Sequence, residues 1–268
     1  IGEGVYDKGN RDLEWRNDMT DSRAIFSGKE QQYDKNRPHY PARLIDFLYD
    51  EIGFCVGSVI ADIGSGTGIF SKQLAERGST VICVEPNAAM RSVAQAKLAR
   101  YPHVRFTSGD CKHTELAERS VDFITAAQAF HWFDVEKFRT ESRRILKPNG
   151  KTVLVWNRRD EASAVNHRTA EVLKRYCPNF HGYGGGMKDE ENVERYFGGR
   201  LERFECENDL VYDRDGFIGR NLSGSYAPRK EDESYEPLVR ALSEMFDEFA
   251  SDGRLTVPHK TAAYWGVI

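Results

Sequence analysis

Three glycines at alternate positions, Gly64, Gly66 and Gly68, constrain this chain more than any other feature of its sequence. They follow the apolar run VIADI and precede IFSKQLAERG, whose apolar spacing predicts a helix that ends at Gly78. Because glycine costs backbone entropy in a folded chain, this alternation indicates unusual φ angles or the close approach of a ligand. A strand, a glycine-rich turn and a helix start together predict a site for a nucleotide-like ligand, since backbone N–H groups at a helix start favour an anion.

Apolar runs and amphipathic helical patterns alternate through residue 158. The runs VIADI, TVICV, VRFT, VDFITAA and KTVLVWN each predict a strand, and TVICV is typical of a buried one. This alternation predicts βαβ units around a parallel sheet, and the unbroken apolar character of the strands predicts helices on both faces. We therefore predict an α/β fold with a Rossmann-like, doubly wound, mostly parallel sheet, whose ligand site lies outside the carboxyl ends of the strands.

The pattern changes after Arg158, and this change defines the predicted domain organisation. Residues 159–200 contain a helical pattern and a glycine-rich loop, which predict an inserted helical cap that closes over the site. Residues 201–268 contain strand patterns and a long amphipathic helix, and they should complete the core. Residues 33–158 form the predicted cofactor-binding core, and residues 1–32 form an N-terminal extension.

Several local features are also predicted from residue type. Asn87 is expected to cap the helix that follows the second strand. The tetrapeptide KPNG (147–150) is expected to be a turn, and LTVPHKTAAYWGVI is expected to be a last strand in which Pro258 marks an edge or a bulge. His167, His181 and His259 are expected on the surface.

Charge and hydropathy argue against nucleic-acid and membrane partners. The 268 residues include 38 Lys and Arg against 42 Asp and Glu, a net charge of −4, whereas a nucleic-acid-binding surface is typically basic. No apolar run approaches the ~20 residues of a membrane-spanning helix. The first 18 residues lack the apolar segment of a signal peptide. They are either native or an upstream extension, with Met19 as an alternative start.

The five cysteines are far apart and include no CxxC pair, a spacing typical of a reduced compartment. We therefore expect a cytoplasmic protein without a metal site. The sequence leaves the oligomeric state open.

Acidic residues end the first three predicted strands: Asp62, Glu85 and Asp110. Glu85 follows Gly64 by 21 positions (85 − 64), where a carboxylate can accept hydrogen bonds from ribose hydroxyls. The spacing of the turn is D-x-G-x-G-x-G, and Ile69 stands where the dinucleotide fingerprint G-x-G-x-x-G has its third glycine.

These stretches together resemble the class I methyltransferases that use S-adenosylmethionine. VIADIGSGTG and VICVEPNAAM look like their cofactor loop and ribose-binding strand end, FTSGDCKHTEL like their third motif, and SVDFITAAQAFHWF like their fourth. More narrowly, YDKNRPHYP, AFHWF and WNRRD resemble the methyltransferase type 11 branch, which includes trans-aconitate methyltransferase-like enzymes. The resemblance covers about residues 26–160, and none of these motifs specifies a substrate.

The resemblance implies S-adenosylmethionine as the cofactor. The N–H groups of the turn and Arg37 would bind its carboxylate, and Asp62 its ammonium group, directly or through water. Glu85 would bind the ribose diol, while Asp110 and the N–H of Cys111 would face the adenine. The expected cofactor-binding residues are Arg37, Asp62, Gly64, Ser65, Gly66, Gly68, Glu85, Pro86, Met90, Asp110, Cys111 and Gln128.

The aromatic stretch FHWF follows the fourth strand, where the acceptor is expected. Phe130 and Phe133 should pack the loop onto the core, whereas His131 and Trp132 should face the site. His131 is the expected catalytic residue: a general base for a hydroxyl acceptor, or an orienting donor for a carboxylate, which needs no base. The expected substrate-binding residues are Tyr40, His131, Trp132, Trp156 and Tyr226.

We therefore predict a methyltransferase that acts on a carboxylate or hydroxyl oxygen of a small molecule. Two alternatives stay open from the sequence. A nicotinamide-dependent oxidoreductase is disfavoured by Ile69 in place of glycine. A non-catalytic S-adenosylmethionine-binding module would retain the same cofactor turn.

Overall fold

The computed structural model describes residues 39–183, 189–224 and 226–268, except for the side chain of Asp189. The strands are β1 Val59–Ile63, β2 Thr80–Val84, β3 Val104–Thr107, β4 Val121–Ala127, β5 Leu146–Arg159, β6 Glu202–Glu207, β7 Leu210–Tyr212, β8 Leu255–Val257 and β9 His259–Gly266. The helices are α1 Ala42–Phe47, α2 Ile69–Glu76, α3 Ala88–Leu98, α4 Val135–Ile145, α5 Ala164–Tyr176, α6 Asp189–Phe197, α7 Arg214–Leu222 and α8 Tyr235–Phe249. A π-helical segment, Leu48–Ile52, continues α1, and a 3₁₀ turn spans Phe130–Trp132.

A seven-stranded sheet with the order β3-β2-β1-β4-β5-β9-β6 organises the chain. Strands β1 to β5 pair in parallel, and β9 runs antiparallel between β5 and β6. The predicted doubly wound, mostly parallel sheet is thereby confirmed. The strand order reverses between β1 and β4, so a ligand crevice is expected where the carboxyl ends of these strands meet.

Apolar side chains cover both faces of the sheet. On one face, Phe138 of α4 and Tyr196 of α6 belong to the same buried cluster as Leu154 and Trp156 of β5. On the other face, Leu44, Phe70 and Leu74, from α1 and α2, pack with Val153 and Val155. Because successive side chains of β5 enter opposite layers, its apolar run is unbroken, as the sequence predicted.

Local signals at the helix ends are confirmed. The side chain of Asn87 accepts hydrogen bonds from the N–H groups of Ala89 and Met90 at 2.9 and 3.1 Å, so it caps α3. Gly78 follows the end of α2 with a φ angle of +86°, which glycine adopts without steric cost.

Two details of the predicted strands are wrong. KPNG is not a free turn, because β5 begins at Leu146 and the tetrapeptide forms an irregularity inside it. Val121 pairs with Leu146, and Phe123 pairs with Lys151. The pairing register therefore advances by two residues on β4 and by five residues on β5, which is a bulge in β5. The predicted last strand is divided at Pro258: β8 pairs with β7 in a separate two-stranded sheet, and β9 joins the main sheet.

A third apolar cluster joins α5, α7 and α8 to the β7–β8 pair, through residues such as Leu173, Phe217 and Leu242. Helix α6 packs elsewhere, with the Tyr196 ring stacked on Phe138 at a centroid distance of 4.9 Å. We therefore group α5, α7, α8, β7 and β8 as the cap and α6 with the core. The boundaries at residues 158 and 200 stay predictions, and the extension 1–32 lies outside the described residues.

Within the described ranges, none of the helices combines the length and the apolar composition needed to cross a membrane.

Buried Glu141 on α4 connects this helix to the segment between β3 and β4. Its carboxylate accepts hydrogen bonds from the backbone N–H and Oγ1 of Thr114, at 2.8 and 2.6 Å, and from Nε and Nη2 of Arg144, at 2.8 and 2.7 Å. Burial acts to raise the pKa of Glu141, but the hydrogen bonds from Arg144 and Thr114 outweigh it and lower the pKa to about 2.

We expect Glu141→Gln to lower the free energy of unfolding at neutral pH by about 1.5–3 kcal/mol, the usual loss for hydrogen bonds to a charged group. A folded-state pKa below the unfolded value stabilises the fold above the unfolded pKa, and this contribution disappears as the pH falls through the folded pKa. The difference between wild type and variant should therefore shrink between about pH 5 and pH 2. Urea unfolding across this range measures it. Glu244→Gln, at an exposed position of α8, is the control, and a difference that is constant with pH would contradict the assignment.

Candidate cofactor and acceptor site

The glycine turn between β1 and α2 has positive φ angles of +69°, +56° and +76° at Gly64, Gly66 and Gly68. A Cβ atom on Gly64 would lie 2.7 Å from the Cβ of Ala129, and one on Gly68 would lie 2.9 Å from Cδ1 of Leu98. Protein packing therefore accounts for these two glycines. At Gly66 a Cβ atom would meet nothing within 4 Å, so the turn leaves space for a ligand there.

Glu85, buried at the end of β2, closes one side of this space. Its Oε2 accepts a hydrogen bond from the N–H of Gly66 at 2.9 Å, and its Oε1 accepts one from the N–H of Asn87 at 2.8 Å. Burial raises the pKa of Glu85, while these hydrogen bonds and the charge of Arg91 oppose the rise. The carboxylate thus lies beside the open position of the turn. This is the place where a group that accepts hydrogen bonds from the ribose hydroxyls is predicted.

Asp62 and Ser65 fix the base of the turn. The hydroxyl of Ser71 on α2 donates to Oδ2 of Asp62, and that of Thr125 on β4 donates to Oδ1 at 2.9 Å. Burial raises the pKa of Asp62 to about 6, although both hydrogen bonds act to lower it. The N–H of Ser65 donates to the carbonyl of Val84 on β2 at 3.3 Å. Both oxygens of Asp62 therefore contact protein hydroxyls, and its role toward a ligand ammonium group stays a prediction.

Asp110 and Cys111 follow β3, the strand next to β2, and so lie along the same edge of the sheet as Glu85. Oδ1 of Asp110 accepts hydrogen bonds from the N–H groups of Lys112 and His113, at 2.8 and 3.0 Å. Burial raises the pKa of the Cys111 thiol to about 11, so the thiol is neutral near pH 7. Both residues are where the adenine is expected.

The other expected cofactor residues occupy different surroundings. Pro86 lies between Glu85 and the cap residue of α3, and Met90 is buried on the first turn of that helix. Gln128 has a φ angle of +56°. Its backbone N–H donates to the carbonyl of Val155 and its Nε2 to that of Asn157, both at 2.8 Å, so it connects the ends of β4 and β5. Arg37 lies outside the described residues.

The FHWF stretch divides as predicted between packing and exposure. Phe130 is buried against the rings of Trp156 and Tyr196, and Phe133 packs against Phe138. His131 and Trp132 lie on the 3₁₀ turn after β4, with ring centroids 5.0 Å apart, and Trp132 is 46% exposed. The packing role predicted for the two phenylalanines is confirmed.

The remaining expected acceptor residues do not come together. Tyr40 is buried edge-on against Phe70, on one face of the sheet. Trp156 is 3% exposed and packs on the opposite face, and Tyr226 contacts Phe180 in the cap. These three residues lie in three different apolar clusters, so their contact with a substrate stays a prediction.

A polar cluster at the end of β5 was not predicted from the sequence. The guanidinium group of Arg159 donates to the side chains of Asn166 and Asn221 and lies 4.5 Å from the Tyr183 ring centroid. His259, expected on the surface, is buried opposite Arg159 as its partner on β9. Two arginines directly after an apolar strand, in WNRRD, were the available signal, because strand ends at this edge of the sheet face the ligand crevice.

Comparison with known sequences gives a consistent result. Residues 61–154 match a family model described as a methyltransferase domain. An uncharacterized methyltransferase-like protein of Schizosaccharomyces pombe is 35% identical over 159 residues, which are 58% of this chain and 61% of that protein. The chain thus spans about three fifths of that relative. A second uncharacterized methyltransferase of the same yeast is 32% identical over 229 residues, 85% of this chain and 79% of the relative.

Solved structures show the same fold. A protein from Anaeromyxobacter dehalogenans, provisionally named a type II methyltransferase, superposes with a TM-score of 0.61 at 26% identity and covers 86% of this chain and 97% of its own. Phosphoethanolamine N-methyltransferase 2 of Haemonchus contortus, solved in complex with S-adenosyl-L-methionine, has a TM-score of 0.52 at 20% identity. The match covers 100% of this chain and 61% of the nematode enzyme.

We expect Gly66→Ala to weaken S-adenosylmethionine binding at least about tenfold, because the added methyl group occupies space that the ligand needs. Gly57→Ala is a matched control, since Gly57 also has a positive φ angle, +88°, and open space at its Cβ position. Both variants should lose roughly 1–2 kcal/mol of stability through backbone strain. Calorimetric titration and thermal unfolding separate the two effects. Equal affinity in wild type and Gly66→Ala would show that the ligand does not approach the turn closely.

We expect Glu85→Gln to weaken S-adenosylmethionine binding by about 1.5–3 kcal/mol, because a neutral amide accepts hydrogen bonds less strongly than a carboxylate. The amide oxygen replaces only one of the two carboxylate oxygens, so the N–H of either Gly66 or Asn87 loses its acceptor, and thermal unfolding of the variant measures that disturbance separately. Isothermal titration calorimetry measures the change, and Glu118→Gln, on the exposed segment before β4, serves as the control. Unchanged affinity in Glu85→Gln would rule out the ribose assignment.

Proposed function

Because this chain belongs to the class I S-adenosylmethionine-dependent methyltransferases, we propose that it transfers a methyl group to a carboxylate or hydroxyl oxygen of a small molecule. The observation that carries the methyl-transfer part of the proposal is the open space at Gly66 beside the Glu85 carboxylate, at the carboxyl edge of the parallel strands. When bound, S-adenosylmethionine supplies an electrophilic methyl group on a sulfonium sulfur.

The residues of this edge fit the groups of the cofactor. Glu85 would accept hydrogen bonds from the ribose hydroxyls, and the N–H groups of the turn would bind the methionine carboxylate together with Arg37. Asp110 and the N–H of Cys111 would face the adenine. Asp62 would approach the ammonium group through an oxygen that already accepts a hydroxyl hydrogen bond. Each carboxylate oxygen has a second lone pair, so this contact adds to the role of Asp62 in holding the turn.

On the acceptor side, the protein has to align an oxygen with the methyl group and exclude water. His131 and Trp132 present exposed rings directly after β4, beside the point where the strand order reverses. A carboxylate acceptor is already ionised, so His131 would orient it by donating a hydrogen bond. A hydroxyl acceptor has to lose its proton, and His131 would then be the base.

A small acceptor is supported by the charge of the chain. The net charge of −4 disfavours nucleic acid, whose binding depends on clustered Lys and Arg. The cap of α5, α7, α8, β7 and β8 builds its own apolar cluster directly after β5, and such a layer is suited to cover a small substrate.

A methyl-transfer assay tests the proposal. Purified protein is incubated with S-adenosylmethionine carrying a labelled methyl group and a panel of small carboxylic acids and phenols, and products are detected by mass spectrometry. Labelled methyl esters or ethers would support the proposal. Cofactor binding without transfer to any member would favour a non-catalytic binding module, and binding of reduced nicotinamide cofactor instead would favour an oxidoreductase.

The two roles of His131 differ in their kinetic consequences. As a general base it would contribute ~10²–10⁴-fold to kcat. As a hydrogen-bond donor it would act mainly on KM, since it would bind ground state and transition state alike.

We expect His131→Ala to raise KM for a carboxylate acceptor with kcat largely kept and cofactor affinity unchanged. Steady-state kinetics with the best acceptor of the panel measure both parameters. His167→Ala, at an exposed position of α5, is the control. If kcat and KM of His131→Ala both stay within about twofold of wild type, His131 only packs the loop.

A further inference from the structure

Arg159, the last residue of β5, reaches a polar cluster among the cap helices. Its Nη1 donates to Oδ1 of Asn166 on α5 at 3.2 Å, and its Nη2 donates to Oδ1 of Asn221 on α7 at 3.1 Å. Its Nη1 also lies 3.4 Å from the hydroxyl of Tyr183, and the guanidinium group stacks over that ring. All these partners are neutral. Among the residues that the structure describes, Arg159 forms no ion pair with a carboxylate.

Two other arginines of the chain show the contrast with an anion-paired guanidinium group. Arg144 donates two hydrogen bonds to the Glu141 carboxylate, and Arg214 pairs with Asp247. Arg159 is half-buried, and a guanidinium group that is partly withdrawn from water without an anion loses part of its solvation free energy. The Arg159 position therefore favours a ligand that supplies the missing negative charge.

A second cation, Arg220, belongs to the same cluster. It precedes Asn221 on α7, the residue that accepts the Arg159 hydrogen bond. Both arginines act on His259, which is the cross-strand partner of Arg159. Burial lowers the pKa of His259, and the charges of Arg159 and Arg220 lower it further, to about 4, although a hydrogen bond to the Val257 carbonyl opposes them. His259 is thus neutral near pH 7, and the two arginines supply the positive charge.

Tyr183 adds a neutral donor to the cluster. Burial raises the pKa of its hydroxyl to about 12, against the opposing charges of Arg159 and Arg220. The hydroxyl therefore keeps its proton near pH 7. A cluster of two guanidinium groups and one phenol suits oxygen atoms that carry negative charge, because the planar guanidinium fork binds such oxygens in pairs.

The cluster lies on the acceptor side of the sheet. Ala127, the last residue of β4, pairs with Val155, and Arg159 is four residues further along β5 (159 − 155). At the rise of an extended strand this is roughly 13 Å beyond the end of β4. The loop that carries His131 starts at the same end of β4. A group held by Arg159 is thus past the strand edge, toward the cap.

We propose that Arg159 and Arg220, with the hydroxyl of Tyr183, bind an oxyanion group of the methyl acceptor, a carboxylate or a phosphate monoester. The proposal names the acceptor class and so rests on the proposed function for its biological meaning. The binding site itself is testable without methyl transfer.

The test is thermal unfolding of the full chain, saturated with S-adenosylhomocysteine, in sodium succinate, sodium phosphate or neutral succinamide, each compared with sodium chloride at equal ionic strength. We expect at least one of the two oxyanions to raise the unfolding midpoint above the chloride value, and succinamide to leave it unchanged. Succinate alone would identify a carboxylate, phosphate alone a phosphate ester, and both a general oxyanion site. If neither raises the midpoint above the chloride value, the inference is wrong.

Variants assign the effect to the cluster. Arg159→Gln and Arg220→Gln should each weaken the apparent affinity for the stabilising anion by about tenfold to a hundredfold, as expected for lost charge-assisted hydrogen bonds. Arg168→Gln, which changes an exposed arginine of α5 paired with Glu171, should bind the anion as wild type does. If Arg159→Gln fails to fold, Arg220→Gln decides the outcome alone. Stabilisation that persists in every folded variant would overturn the proposal.

Calorimetric titration with S-adenosylhomocysteine separates this inference from the proposed function. Cofactor-product binding without any anion response would contradict the oxyanion site and leave the proposed function standing. An anion response that depends on Arg159 or Arg220, without cofactor-product binding, would contradict the proposed function and leave the oxyanion site standing.

Discussion

The hydrogen bonds of the Glu85 carboxylate to the N–H groups of Gly66 and Asn87 hold the ligand-facing edge of the sheet together. One links the end of β2 to the turn after β1, and the other links it to the start of α3. A buried carboxylate without such partners would lose much of its solvation free energy. The two donors offset that loss and fix the orientation of the side chain, so the edge is preorganised before a ligand arrives.

Glycine makes this arrangement possible at three alternate positions with positive φ angles, each for its own reason. Gly64 avoids Ala129, Gly68 avoids Leu98, and Gly66 leaves space open. The alternation that is so visible in the sequence thus combines two packing requirements with one ligand requirement. The Asp62 carboxylate accepts hydrogen bonds from Ser71 on α2 and Thr125 on β4 and so fixes the start of the turn. This structural role explains why an acidic residue precedes the glycines.

The sequence predicted the parallel part of the sheet well because its signals are local. Most strands of β1 to β5 are apolar runs, and the start of α3 has a recognisable capping residue, Asn87. The wrong predictions occur where the pairing of a strand depends on residues far away in the sequence. The irregularity at residues 147–150 depends on which residues of β4 pair with β5. The break at Pro258 depends on β7, a strand more than 40 residues earlier in the chain (255 − 212 = 43) that pairs with β8.

The contrast between local signals and distant pairing also explains which residues of the candidate site could be predicted. Glu85 and Gly66 were predictable because each closely follows a short apolar strand within its own local motif. Trp156 was expected to line a pocket, but the alternation of β5 directs its ring into the core beside Phe130. His259 was expected on the surface because its burial results from the antiparallel pairing of β9 with β5, which no local pattern encodes.

Strand β5 connects the two halves of the proposed chemistry. It is 14 residues long, and its central part pairs with β4 while its last residues extend past that strand into the cap. The methyltransferase-domain match ends at residue 154, whereas Arg159, Tyr183 and Arg220 all follow that point. The matched region therefore contains the glycine turn, Glu85 and Asp110, which would bind a cofactor common to the family. The proposed oxyanion site lies beyond that region. Arg159 belongs to the WNRRD stretch that resembles the type 11 branch, whereas Tyr183 and Arg220 follow among the cap elements, where enzymes of one fold can differ to select their own acceptors.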